Sequence, residues 1–248
     1  MSSRSCAYEV SLIQSVDEEM LRCAILENGY FTALREGSMS LAIFRETQRQ
    51  FYFAVRFFSR PMAALMARMP DSALRQGLIH NLAEEHGFVD EAEDGAPLQS
   101  RFDPALAHDL TIKAFLRTLG PSGGEPTAIK EGVPVRAFNL GLMGACMMER
   151  TEFAFACLGV IEYAFADISA LIGKKVVENS WVTLDELVHY KLHAEIDKGH
   201  AADFFTLVES AWTTGGESRE AVEDGIRFGL HLFNQFYENL YREATTSP

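Results

Sequence analysis

Residues 137–172 are almost wholly apolar, and no other feature limits the possible folds of this chain so strongly. A helix that is apolar on every side has to be buried, so the remaining elements must wrap around it. Those elements carry helical periodicity, and strand alternation is absent. In 17–28, acidic residues open a first turn, an apolar stripe follows, and Gly29 reads as the stop. Ser38 or Ser40 is placed to cap a helix through LAIFRETQRQFYFAVRFF that ends near Pro61. Asp71 or Ser72 is placed to cap SALRQGLIHNLAEEH, which Gly87 ends. Residues 88–103 read as an acidic loop, AHDLTIKAFLRTLG as a helix closed by Gly120, and PSGGEP as a turn. Thr183 and Glu186 have capping-box spacing ahead of LDELVHYKLHAEIDKGHAADFFTLVESAW, and a last helix spans about 218–243. The expectation is an all-α bundle of seven or eight helices, with 1–248 forming one domain.

The formal net charge of −13 disfavours nucleic acid and anionic lipid as partners. No run is expected to reach a membrane span, and MSSRSCAYEV has no uninterrupted apolar core of the kind a signal peptide needs. Cys6, Cys23, Cys146 and Cys157 form no CxxC pair, and a reducing cytoplasm is the expected setting.

Four places carry potential chemistry. His193, Asp197 and His200 fall within about a 60° arc of one helix face. Imidazole with carboxylate suits iron or manganese; the same helix also carries Lys191, Glu195 and Lys198, as a solvated face would. Glu186 and His189 extend the stripe and read as a cap and as an outer or surface histidine, because no second Glu-x-x-His pair accompanies them. Glu162 is the only charge between Glu152 and Asp167, and a buried carboxylate needs a metal or a cationic partner. In NLAEEHG, Glu85 follows the Leu74/Leu78/Leu82 stripe while Glu84 shares a face with His80, so periodicity leaves the choice open. His108 opens an amphipathic helix and alone would read as a capping or surface residue.

Together these places resemble the haem-oxygenase-like di-iron oxidases and oxygenases, relatives of the TenA thiaminases and PqqC oxidases. The resemblance covers about 30–205 and rests on LREGSMSL, the aromatic helix reaching Arg60-Pro61, NLAEEHG, the helix from His108 to Leu119-Gly120, the lone Glu162 and H-x-x-x-D-x-x-H. It implies a metal set of Glu84, His108, Glu162, His193, Asp197 and His200, since the family uses the first glutamate of the EE pair. An insertion at about 88–104 separates His108 from that pair, and Glu91 takes the histidine's place in an ungapped alignment. The resemblance also implies two Fe(II) ions, dioxygen as co-substrate, and oxidation of a small organic substrate. A free amino acid or amine is the first expectation, with Arg150 and Arg60 as weak candidates for binding its carboxylate. Oxidative decarboxylation of a fatty acid and a metal-free TenA- or PqqC-like activity are the alternatives. Phe31 in Gly-Tyr30-Phe31 disfavours the branch that consumes its own tyrosine. An external electron donor and a homodimer are compatible with the resemblance.

Overall fold

The computed structural model describes residues 10–89, 101–120 and 129–246. Nine α-helices run through them: α1 Leu12–Cys23, α2 Gly29–Glu36, α3 Leu41–Arg68, α4 Arg75–Glu85, α5 His108–Thr118, α6 Val133–Met148, α7 Thr151–Glu178, α8 Val188–Thr214 and α9 Gly216–Thr246. The only β pairing among the described residues is an isolated bridge between Phe88 and Phe102. The expected seven or eight helices become nine because α2 is a helix of its own and the long apolar stretch is two helices.

Several local differences have clear causes. Ser11 caps α1 in a capping box with Gln14, and the helix stops at Ala24, which takes a left-handed backbone. Gly29, expected as a stop, instead opens α2, because Asn28 caps that helix by accepting from Phe31 N. The Gly29 N–H donates to Glu238 Oε2 at 2.7 Å. Ser40, rather than Ser38, caps α3. That helix continues through Pro61. The lost backbone hydrogen bond is offset by burial of Pro61, Met62 and Leu65 beyond it, and by Arg68 donating to the Cys146 and Glu149 carbonyls at 2.6 Å each. Those two carbonyls mark the break between α6 and α7. Asp71 accepts from Ala73 N without capping α4, which begins at Arg75. The Thr183–Glu186 capping box forms, but it closes a short 3-10 turn, and α8 starts at Val188. PSGGEP lies outside the described residues.

Helix α7 lies at the centre, packed most extensively on α8 and α9. By length and composition it could cross a membrane, contrary to expectation, yet 78% of its apolar window is buried inside the fold, as befits a core helix. Its approach to α9 depends on two glycines. A Cβ on Gly225 would lie 2.3 Å from the Phe153 carbonyl oxygen, and one on Gly229 2.7 Å from that of Cys157. This tight crossing fixes one side of α7, leaving Glu162 to face α8.

Candidate metal centre

Four helices deliver the candidate side chains. Helix α8 supplies His189, His193, Asp197 and His200, all buried. Helix α7 supplies Glu162, buried among apolar neighbours. The C-terminal end of α4 supplies Glu84 and Glu85, and the first residue of α5 is His108. The two ends of the insertion hold α4 and α5 together: Asp103 N donates to Gly87 O and Val89 N to Arg101 O, both at 2.8 Å. Gly87 has φ +89°, and a Cβ there would meet the Asp103 carbonyl oxygen at 2.2 Å. Only glycine permits this neck, which brings His108 to Glu85 across the inserted chain. Glu91 lies outside the described residues.

All six residues implied by the resemblance meet in one cluster. His200 Nε2 lies 2.7 Å from Glu84 Oε2 and donates to it, and His193 Nδ1 lies 2.9 Å from Asp197 Oδ1. His200 Nδ1 is 3.9 Å from Asp197 Oδ1 and 4.0 Å from Glu162 Oε2. One ligand atom each from Glu162, Asp197 and His200 fits within 4.8 Å of the others, close enough to share an ion. The rings of His108 and His193 are 4.4 Å apart.

Two residues that the sequence analysis left outside the metal set, Glu85 and His189, lie inside the cluster. Glu85 is buried, and its Oε1 lies 2.9 Å from His108 Nδ1. Glu84 is more exposed and also approaches His80 Nδ1, at 3.2 Å. Glu85 follows the Leu74/Leu78/Leu82 stripe, but periodicity alone left the choice between it and Glu84 open. His189, expected as an outer or surface histidine, is fully buried, with its ring 4.5 Å from that of His193. Its Nδ1 is 2.9 Å from the Thr111 hydroxyl, which itself donates to the His108 carbonyl. His189 Nδ1 is therefore the donor to Thr111.

The electrostatics show what the cluster needs. Burial, reinforced by Asp197, Glu85 and Glu84, pushes the Glu162 carboxyl well above the usual range. Burial likewise raises Asp197 against the pull of His200 and His108. Burial, with the neighbouring His108, drives His193 well below its ordinary value. Burial alone would lower His108 and raise Glu85, but their mutual attraction reverses both shifts. Glu162 Oε1, Asp197 Oδ2, His193 Nε2 and His200 Nδ1 are buried without a hydrogen-bond partner. Unpaired buried lone pairs on carboxylates and imidazoles are expensive and suit cations that accept oxygen and nitrogen donors. The donor set therefore fits iron.

Beside the cluster is a cavity of about 50 Å3, walled by Phe51, Phe58, Phe138, Phe165 and Phe233 with Glu85, His108, Glu162 and His193. Arg150 is not part of it and is engaged at the surface by Glu152 at 3.0 Å and Glu217 at 3.8 Å. Arg60 lines a separate outer cleft.

The fold and these side chains define a helical bundle with a buried carboxylate–imidazole cluster. Residues 45–234 match the family described as iron-containing redox enzymes, and the chain belongs to that family. Solved structures share the fold at low identity. A domain of unknown function with a haem-oxygenase-like fold from Shewanella denitrificans has a TM-score of 0.74 at 13% identity, covering 95% of this chain and 94% of that one. A CADD-like protein of unknown function from Nostoc punctiforme has a TM-score of 0.71 at 16% identity, covering 94% and 96%. A TenA homolog from Pseudomonas syringae has a TM-score of 0.67 at 14% identity, covering 92% of each chain. No curated protein sequence matches this chain.

Proposed function

We propose that this protein is a non-haem di-iron oxidase that activates dioxygen to oxidise a small organic substrate, with a free amino acid or amine as the first candidate. The observation behind this reading is the cluster of buried, unpaired imidazole and carboxylate lone pairs on one wall of an aromatic cavity. His108, Glu162, His193, Asp197 and His200 would hold the metal. Burial favours Glu85 as the carboxylate from α4, with Glu84 orienting His200 through Nε2. When bound, ferrous iron would supply the electrons for the reduction of dioxygen. The chain does the rest. Asp197 accepts from His193 Nδ1 and leaves Nε2 unprotonated, and Glu84 does the same for His200, leaving Nδ1 unprotonated. The phenylalanine walls keep water from the reacting centre.

A metal-free, cysteine-dependent activity of the TenA kind finds little support. Burial pushes the Cys146 thiol up to about 12 and the Cys157 thiol well above its ordinary value. Fatty-acid decarboxylation remains the second reading because the cavity wall is so apolar. Anaerobic Fe(II) loading tests the proposal. Close to two irons per chain, with an optical change on exposure to oxygen, is the expected result; a folded chain that stays iron-free in excess Fe(II) overturns it.

A further inference from the structure

A second concavity lies against the outside of the metal centre. It is a cleft of about 420 Å3, lined by Arg56, Ser59 and Arg60 of α3, by Asp109 of α5, and by Val55 and Glu85. Val55 and Glu85 also line the aromatic cavity. The two spaces therefore share a wall, and one face of that wall is the buried carboxylate beside His108. Such a cleft is within the size range of small-molecule sites.

The charges in the cleft are unevenly matched. Glu85 already faces His108, and Asp109 lies 4.0 Å from Lys113 Nζ. Arg56 and Arg60 have no carboxylate within 4.0 Å among the described residues, although the chain carries a net charge of −13. They stand one turn apart on the same helix, where like charges repel. The Arg60 guanidinium rests over the Phe57 ring at 5.4 Å, an arrangement that leaves its N–H edge available.

We propose that Arg56 and Arg60 form the docking site for the carboxylate of a substrate whose apolar body lies against Val55, at the wall shared with the aromatic cavity. The proposal rests on the metal-centre reading only for which end of the substrate reacts. Planar guanidinium forks match a carboxylate in geometry. Asp109 and Glu85 at the margin disfavour a doubly charged phosphate, so a singly charged anion is the better fit.

The test uses the metal-free protein, so its outcome is independent of iron loading. Isovalerate, isopentylamine and inorganic phosphate are titrated separately while the arginine Nε–H and valine methyl resonances are followed by NMR. Isovalerate should give saturable shifts at Arg56, Arg60 and Val55; isopentylamine and phosphate should not. Arg56→Gln/Arg60→Gln should weaken isovalerate binding at least tenfold, and Arg150→Gln should leave it unchanged. Both cleft arginines are exposed, so the variant should keep its fold, as a thermal melt will show. Equal binding in the double variant, shifts mapping elsewhere, or phosphate binding as tightly at the same arginines overturns the proposal. Because wild-type shifts alone locate the site, a poorly folding variant does not protect it.

Discussion

Two buried polar regions lie on neighbouring turns of α8, and they are finished differently. In one, Tyr190 donates to Gln48 Oε1, Gln48 Nε2 donates to the Tyr30 hydroxyl at 2.9 Å, and the Thr47 hydroxyl lies 3.4 Å from Tyr30. Apart from the nearby Tyr237 hydroxyl, this network satisfies itself. In the other, three residues along the same helix, His193, Asp197 and His200 each keep a buried atom without a partner. A network that closes on itself is a structural device. One left open by the protein is waiting for something the protein does not supply. The contrast separates the candidate ligands from the scaffold more sharply than residue type does, since both regions are buried.

The largest expected effect is on metal affinity. Glu162→Gln and Glu85→Gln should each weaken iron binding more than ~100-fold, beyond the 10–100-fold typical of an outer partner, the range expected for Glu84→Ala. The metal-free protein should melt no lower in Glu162→Gln, because a neutral amide replaces an uncompensated buried carboxyl. Isothermal titration with Fe(II) under anaerobic conditions measures the first point and calorimetry the second. A Glu84 effect larger than that of Glu85 would restore the assignment implied by the family resemblance.

The opposite pattern is expected for the closed network. Gln48→Leu strands the buried Tyr190 hydroxyl, at a cost of ~1–3 kcal/mol, and leaves Tyr30 with Thr47 alone; it should lower the melting temperature while iron affinity stays within about twofold of wild type. An equal loss of iron binding would erase the distinction between the two regions.

The open region should also make stability depend on pH. His108, Glu162 and Asp197 have folded values above their unfolded ones. Each therefore contributes stability below its unfolded value and loses it as pH rises through the folded one. His189 and His193 are depressed and act oppositely, but only below the ordinary histidine value of about 6.5. The metal-free protein should accordingly lose stability as pH climbs above about 6.5. Iron, which replaces the protons, should flatten that decline. Melting curves from pH 6.5 to 9 with and without metal decide it; a metal-free protein that gains stability over this range has the sign reversed.

The smallest effect belongs to the exception in the closed network. Tyr237→Phe removes a hydroxyl that already lacks a partner, so the change should stay within about 0.5 kcal/mol of neutral or stabilise slightly. A loss of 1 kcal/mol or more in chemical denaturation would show that the hydroxyl has a partner in solution.

Much of this could be read from the chain. Apolar periodicity required helices, the long apolar stretch required a buried one, and the spacing of His193, Asp197 and His200 put three donors on one face. These are local facts, set by the 3.6-residue turn. Spacing cannot say which non-local group a face will meet. Only packing decided that Glu85 is buried beside His108 while Glu84 reaches His200, that His189 lies inside, and that the neck at Gly87 carries His108 across the insertion. Packing likewise turned Gly29 from a stop into a start and carried α3 through Pro61, because Asn28 and the burial beyond the proline outweighed the local signals. Helical periodicity fixes which residues share a face, whereas the partners of that face are set by contacts between segments far apart in the chain.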